Sequence, residues 1–207
     1  MKDIIIEIIG DISIMNMFKK LPYFVILQEK KYKINVDFRI MINYEKIVMD
    51  KKMKKEDQIK KILQSFYPDF SVDNAYRLLL RNLDLYKEAC DKLIWFYKCG
   101  GRVDYHKKVE GISCNRTEEI FSYEYDDEYI WGAFWDRGYD LTVDHIHWWK
   151  FKALWNSLPE SVPFEKIKSY RAYSGKDEQL NNLKDYWALP VPIEEQERQN
   201  RLYELLK

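Results

Sequence analysis

From Leu79 to Tyr97 the apolar residues return in steps of three and four: Leu79, Leu83, Tyr86, Cys90, Leu93 and Tyr97. A strand needs period two, so this spacing belongs to one face of an α-helix. It predicts a helix along "NAYRLLLRNLDLYKEACDKLIWFYKCGG", about seven turns at 3.6 residues each. Ser71 or Asp73 would cap its start, and Gly100-Gly101 would end it with glycine at the C′ position. A stripe of that length must be covered by other helices, which makes the chain mainly α.

Further helices read from the same period. Asp37 caps "FRIMINYEKIVM", where Phe38, Met41, Ile42 and Glu45 share a side. Ile59, Ile62, Leu63 and Phe66 keep helical spacing until Tyr67-Pro68 stops it. "DDEYIWGAFWDRGYD" begins with three acids, suited to a helix N-terminus, and pairs Ile130 with Phe134 and Trp131 with Trp135 at i,i+4 before Gly138 closes it. "LTVDHIHWWKFKALWNSLP" reads as a helix with Thr142 as N-cap and Asp144 in the first turn. Pro163 opens a shorter helix to about Tyr170, and "KDEQLNNLKDYWALP" gives another, stopped at Pro190. Residues 23–36 read as a β-hairpin: "YFVIL" and "YKINV" flank "QEKK", and Tyr32, Ile34 and Val36 alternate with polar residues. No Asn-Gly marks its turn, which leaves the register open.

The expected architecture is a single helical domain, 17–190, of roughly five to seven helices with a small N-terminal hairpin at 23–36. Residues 1–16 read as an Ile-rich extension, either a strand or upstream of the true start, with Met15 and Met17 close behind. Residues 100–120 read as a flexible loop, and 191–207 as a polar C-terminal helix with a thin leucine stripe.

Composition excludes some classes. With 34 basic and 34 acidic residues the net charge is zero, which disfavours a dedicated nucleic-acid binder. No apolar run approaches the roughly 18 residues of a membrane span. The N-terminus carries Lys2, Asp3, Glu7 and Asp11 and lacks the pattern of a signal peptide. Three cysteines without a CxxC point to a reduced, cytoplasmic protein. Aromatic residues reach 16%, which suits either a core of large rings or a surface that meets a partner.

The chemistry-bearing candidates are weak. His145 and His147, placed on a helix, point about 200° apart and cannot grip one ion. Asp126, Asp127 and Glu128 are explained by capping. Cys90 falls on an apolar stripe, as a buried inert thiol does. "KKMKKEDQIKK" (Lys51 to Lys61) is broken by acids and reads as a solvated face. There is no GxSxG, P-loop or GxGxxG. No catalytic, cofactor-binding or metal-binding residue is expected, and no cofactor. The rings remain: Trp148, Phe151 and Trp155 share a face at core spacing, while Trp149 points elsewhere.

Seven stretches occur in an order that resembles the bacteriophage gene-product-fifteen family: "NVDFRIMINYEKIV", "KILQSFYPD", "LIWFYKCG", "FSYEYDDEYIWGAFWDRGYDLT", "HIHWWKFKALWNSLPE", "FEKIKSYRAY" and "LKDYWALP". The resemblance covers about Met17 to Pro190, and the "YDDEYIWGAFW" and "WWKF–ALW–SLPE" blocks are its most specific parts. The N-terminal extension, a hairpin turn without Asn-Gly and the polar helix after "YWALP" depart from the pattern. The family consists of small proteins of tailed phages and prophages. Its genes usually lie between those for the major tail protein and the tape measure protein, the place of tail assembly chaperones. The resemblance therefore implies a non-enzymatic chaperone or assembly factor of the host cytoplasm that binds the tape measure protein or another tail protein, with self-association as a further partner class. Trp131, Trp135, Trp148, Trp149 and Trp155 are the expected contact residues. A structural or connector protein of the mature tail is the first alternative, and a nucleic-acid-binding phage regulator the second.

Overall fold

The structure, a computed structural model, describes residues 20–101 and 120–190. The expected extension at 1–16, most of the loop at 100–120 and the C-terminal helix at 191–207 lie outside the described residues. The described part is mainly helical, with eight α-helices and one two-stranded antiparallel sheet. It divides into two compact units, residues 20–101 with 145–156, and residues 120–144 with 157–190.

The first unit opens with the hairpin, β1 (Phe24–Leu27) and β2 (Lys30–Lys33). Leu27 pairs with Lys30, so the turn is only Gln28-Glu29. Both residues have positive φ, 45° and 65°, as the two-residue type I′ hairpin turn demands. Side-chain-bearing residues cost roughly 1–2 kcal/mol each in that left-handed region. The turn is held from outside. The Gln28 backbone N–H donates to the Glu88 carboxylate at 2.9 Å, and the Gln28 and Asn82 side-chain amides pair at 3.0 and 3.4 Å. Val25, Leu27, Tyr32 and Ile34 are buried, while Phe24 and Ile26 face outward opposite Lys33 and Lys31.

Helix α1 (Phe38–Met49) starts where expected, with Asp37 accepting from the Arg39 N–H at 2.9 Å. Helix α2 (Lys55–Phe66) buries Ile62, Leu63 and Phe66 and ends at Tyr67, ahead of a 3-10 turn, Pro68–Phe70.

The long helix expected after it is two. Helix α3 (Asp73–Arg81) and helix α4 (Leu83–Tyr97) meet at Asn82, whose backbone is extended and whose side chain accepts from the Leu85 N–H at 3.1 Å. Asn is a strong N-cap and a weak helix interior residue, and its amide is also engaged by Gln28. The break resets the phase. Leu83 is 75% exposed, and the buried face of α4 is Ala89, Leu93 and Phe96. The end of α4 also differs from expectation. Cys99, at φ 53°, occupies the left-handed C′ position, with Cys99 N–H on the Phe96 carbonyl and Gly100 N–H on the Trp95 carbonyl, the Schellman pattern.

The last helix of this unit, α6 (Trp148–Asn156), begins six residues later than the expected cap at Thr142. The chain before it is extended instead. Phe38 N–H donates to the Ile146 carbonyl at 2.9 Å, Trp148 N–H donates to the Val36 carbonyl at 2.8 Å, and Asp37 bridges His147. Strand-like pairing with residues 36–38 uses the backbone groups that a first helical turn would need.

The second unit holds α5 (Asp127–Trp135), α7 (Pro163–Arg171) and α8 (Glu178–Tyr186). Helix α5 packs on α7, and α7 on α8. Ile130, Ala133 and Phe134 of α5 are buried, as are Phe164 and Ile167 of α7. Gly138, at φ 78°, ends α5 with a second Schellman pattern through Gly138 and Tyr139. Thr142 is no helix cap: its N–H and hydroxyl donate to the Asp140 carboxylate at 2.9 and 2.6 Å, in a turn.

Candidate functional site

The five tryptophans expected to meet a partner separate into two groups. Trp148 is fully buried and Trp155 lies in the same core. The Trp148 ring stacks near Tyr97 and Phe151, with centroids 5.7 and 5.8 Å away, and Phe151 stacks on Phe38 at 4.6 Å. Trp149 is half-buried, edge-on to Trp95 at 5.4 Å. The adjacent indoles have a shared task. Trp148 Nε1–H donates to the Tyr97 carbonyl at 2.9 Å, and Trp149 Nε1–H donates to the Phe96 carbonyl at 2.8 Å. Those carbonyls belong to the last turn of α4, where no i+4 helical N–H reaches them, although the Cys99 N–H also donates to the Phe96 carbonyl at 3.0 Å. The "WW" pair of α6 therefore caps α4, and neither Trp148 nor Trp155 can reach a partner without opening the core.

Trp131 and Trp135 are different. They sit one turn apart on the outer face of α5, 38% and 53% exposed, with rings stacked at 5.0 Å and 29°. Trp131 Nε1–H donates to Asp140 at 3.1 Å, which fixes its ring. Exposed Asp127 and Glu128 precede the pair and exposed Asp136 follows it.

Beneath this face lies a contact that no local pattern announced. Asp126 and Arg171, 1% and 8% exposed, form a two-pronged ion pair with N–O distances of 2.6 and 2.9 Å. Arg171 also donates to the Trp187 and Ile120 carbonyls, and Asp126 accepts from the Ser122 N–H. One guanidinium thus ties the segment before α5 to α7 and to the end of α8. Only Asp127 and Glu128 act as the first-turn acids that spacing predicted for all three carboxylates. The pair spans 45 residues, so nothing in the sequence spacing could have revealed it.

The histidines lie on the extended lead into α6. His147 Nε2–H donates to the Pro22 carbonyl at 3.0 Å, and Trp149 N–H donates to Nδ1 at 3.1 Å. This pattern requires the neutral ring, and burial pushes the His147 pKa below its ordinary value. His145 Nδ1 lies 2.8 Å from Asp37 Oδ2. Among the described residues no group of three or more His, Cys, Asp or Glu is placed to hold a metal ion. Burial pushes the Cys90 thiol up, away from the thiolate that a nucleophile needs. An open cleft of about 500 Å³ between α1 and α2 is lined by Asn43, Lys46, Asp50, Met53 and Lys61. It gathers no catalytic pairing. No helix among the described residues is long and apolar enough to cross a membrane.

The family model described as Bacteriophage Gp15 protein matches residues 17–189. The chain belongs to the Gp15 family. No curated protein and no solved structure matches it. The Gp15 match spans both compact units and takes in the buried tryptophans, the Asp126–Arg171 pair and the exposed indoles of α5.

Proposed function

We propose that this Gp15-family phage protein is a tail assembly chaperone, or an assembly factor of the same kind, that holds the tape measure protein by reversible binding and performs no chemistry. The observation that carries the reading is the stacked Trp131–Trp135 pair on the outer face of α5. Exposed Trp is costly to leave in water and is the residue most enriched at binding hot spots. One indole is already oriented by Asp140, so little freedom is lost on contact. The position of family genes beside the tape measure gene, implied by the resemblance, supplies the partner. A tape measure protein is long and helical and aggregates when left alone, and rigid rings suit a helix laid across them.

The test is co-expression of the full chain with the long coiled-coil protein encoded downstream. The chain should raise the soluble fraction of that protein and co-purify with it, and mass spectrometry of purified virions should find the chain absent. Failure to change solubility sinks the chaperone reading. Stoichiometric presence in the particle would make it a structural or connector protein of the tail instead.

A further inference from the structure

Helix α5 presents two adjacent rows to solvent. One is Asp127, Trp131, Trp135, and the other is Glu128, Gly132, Asp136, each at i,i+4 spacing. The buried side of the helix is Ile130, Ala133 and Phe134. Gly132 stands in the middle of the outer face with ordinary helical backbone. A Cβ placed there would meet nothing within 4 Å among the described residues. Glycine is a poor residue in a helix interior, and here neither its backbone angles nor its neighbours require it. Its effect is a low point in the face, walled by the indole rings on one side and ended by the Glu128 and Asp136 carboxylates.

Charge marks what fits there. Residues 124–144 carry seven acids, Glu124, Asp126, Asp127, Glu128, Asp136, Asp140 and Asp144, and one base, Arg137. Asp126 is buried against Arg171, and Arg137 donates to Ser157. The chain as a whole is neutral, whereas residues 124–144 are net negative, and three of their acids, Asp127, Glu128 and Asp136, are exposed on α5 or at its end beside the indoles. Indole faces attract Lys and Arg through the ring quadrupole, and nearby carboxylates add to the same preference.

We infer that the outer face of α5 is a seat for a basic amphipathic helix of a partner protein, whose backbone approaches over Gly132 with apolar side chains against Trp131 and Trp135 and its Lys or Arg residues at Glu128 and Asp136. The inference deepens the chaperone reading and rests on it for the partner's identity: the client segment would be a cationic helical stretch. A nucleic acid is repelled by the same carboxylates.

The probe is a fluorescein-labelled helical peptide of roughly 18 residues with Leu on one face and Lys on the other, titrated with the full-length protein and read by anisotropy. A Glu-for-Lys peptide is the control. The Lys peptide should bind and the Glu peptide should not. Gly132→Gln, Trp131→Ala with Trp135→Ala, and Glu128→Lys with Asp136→Lys should each weaken binding by about tenfold or more. Gly132→Gln should leave the melting temperature unchanged or raised, so its loss of binding cannot be ascribed to unfolding. Absence of binding to the Lys peptide, equal binding by Gly132→Gln, or preference for the Glu peptide overturns the inference. So does a concentration-dependent dimer that Gly132→Gln abolishes, because the face would then belong to a second copy. The outcomes separate from those of the chaperone test. Solubility rescue of the tape measure protein without Lys-peptide binding sinks this inference alone, and Lys-peptide binding without rescue sinks the chaperone reading alone.

Discussion

Trp148 and Trp149 of α6 and Trp131 and Trp135 of α5 come from similar local sequence, aromatic helices rich in tryptophan, yet they do opposite things. The first pair is committed to the chain itself, with each indole N–H spent on a terminal carbonyl of α4. The second pair stacks on itself at the surface. The difference lies in the neighbours. Helix α6 runs past a helix end whose carbonyls can take a further donor, and among the described residues the outer face of α5 has only the Asp140 carboxylate as an indole acceptor. A tryptophan's fate is set by whether an acceptor and a cavity await it, and helical spacing reports neither.

Substitution of Trp148 by Ala should break this comparison most visibly. The side chain is fully buried against Tyr97 and Phe151, and large-to-small changes at such sites cost roughly 3–5 kcal/mol. The Tyr97 carbonyl loses its indole donor as well. Chemical denaturation should show a large fall in midpoint, and a midpoint within error of the parent would refute the capping role. Arg171→Ala is the matching lesion in the second unit. It strands Asp126 in a buried site, and removal of one partner of a buried pair costs roughly 3–5 kcal/mol. Because the guanidinium also holds the Trp187 and Ile120 carbonyls, loss of α8 protection in hydrogen exchange should accompany it.

A smaller effect follows from His147. Its fold-state pKa is depressed by burial, so the folded protein prefers the neutral ring while the unfolded chain takes up a proton near pH 6.5. The unfolded state then binds more protons, and stability must fall as pH drops below about 6.5 and level off below the folded-state pKa. The neutral ring also accepts the Trp149 N–H, so acidification loosens the segment that positions the buried tryptophans. Denaturation midpoints between pH 7.5 and 5.5 should decline in the parent and decline less in His147→Gln. An equal slope in the two proteins would place the titration elsewhere. Cys99→Gly ranks next. Cys99 holds φ 53° at the end of α4, and glycine there should add about 1 kcal/mol, raising the midpoint without changing the slope of the transition.

Much of this fold is legible where the cause is local. Asp37 caps α1, Pro68 follows the end of α2, Gly138 closes α5, and the alternation of Tyr32 and Ile34 with polar residues marks the return strand of the hairpin. The misread boundaries have distant causes. Asn82 breaks the long helix in company with Gln28, 54 residues away. The start of α6 is delayed by pairing with residues 36–38, across more than a hundred positions. The turn at Gln28-Glu29 tolerates two left-handed residues because Glu88 and Asn82 hold it. The candidate site was half legible: the i,i+4 step joined Trp131 to Trp135, but the acceptors that withdraw Trp148 and Trp149 from the surface are carbonyls on another helix.

The smallest stability effect is expected at the most functional residues. Trp131→Ala combined with Trp135→Ala removes two partly exposed rings that stack on each other, one of which reaches Asp140 through its N–H. Surface changes of this type usually stay within about 0.5 kcal/mol per site. The double variant should therefore melt close to the parent, while Trp148→Ala falls far below it. If the indoles of α5 serve a partner, the double variant should lose the ability to keep the tape measure protein in solution, and the Trp148→Ala protein, assayed at a temperature where it is still folded, should retain it. Should the double variant instead unfold as readily as Trp148→Ala, the α5 pair would be part of the fold's own packing, and the contrast between the two tryptophan groups would collapse.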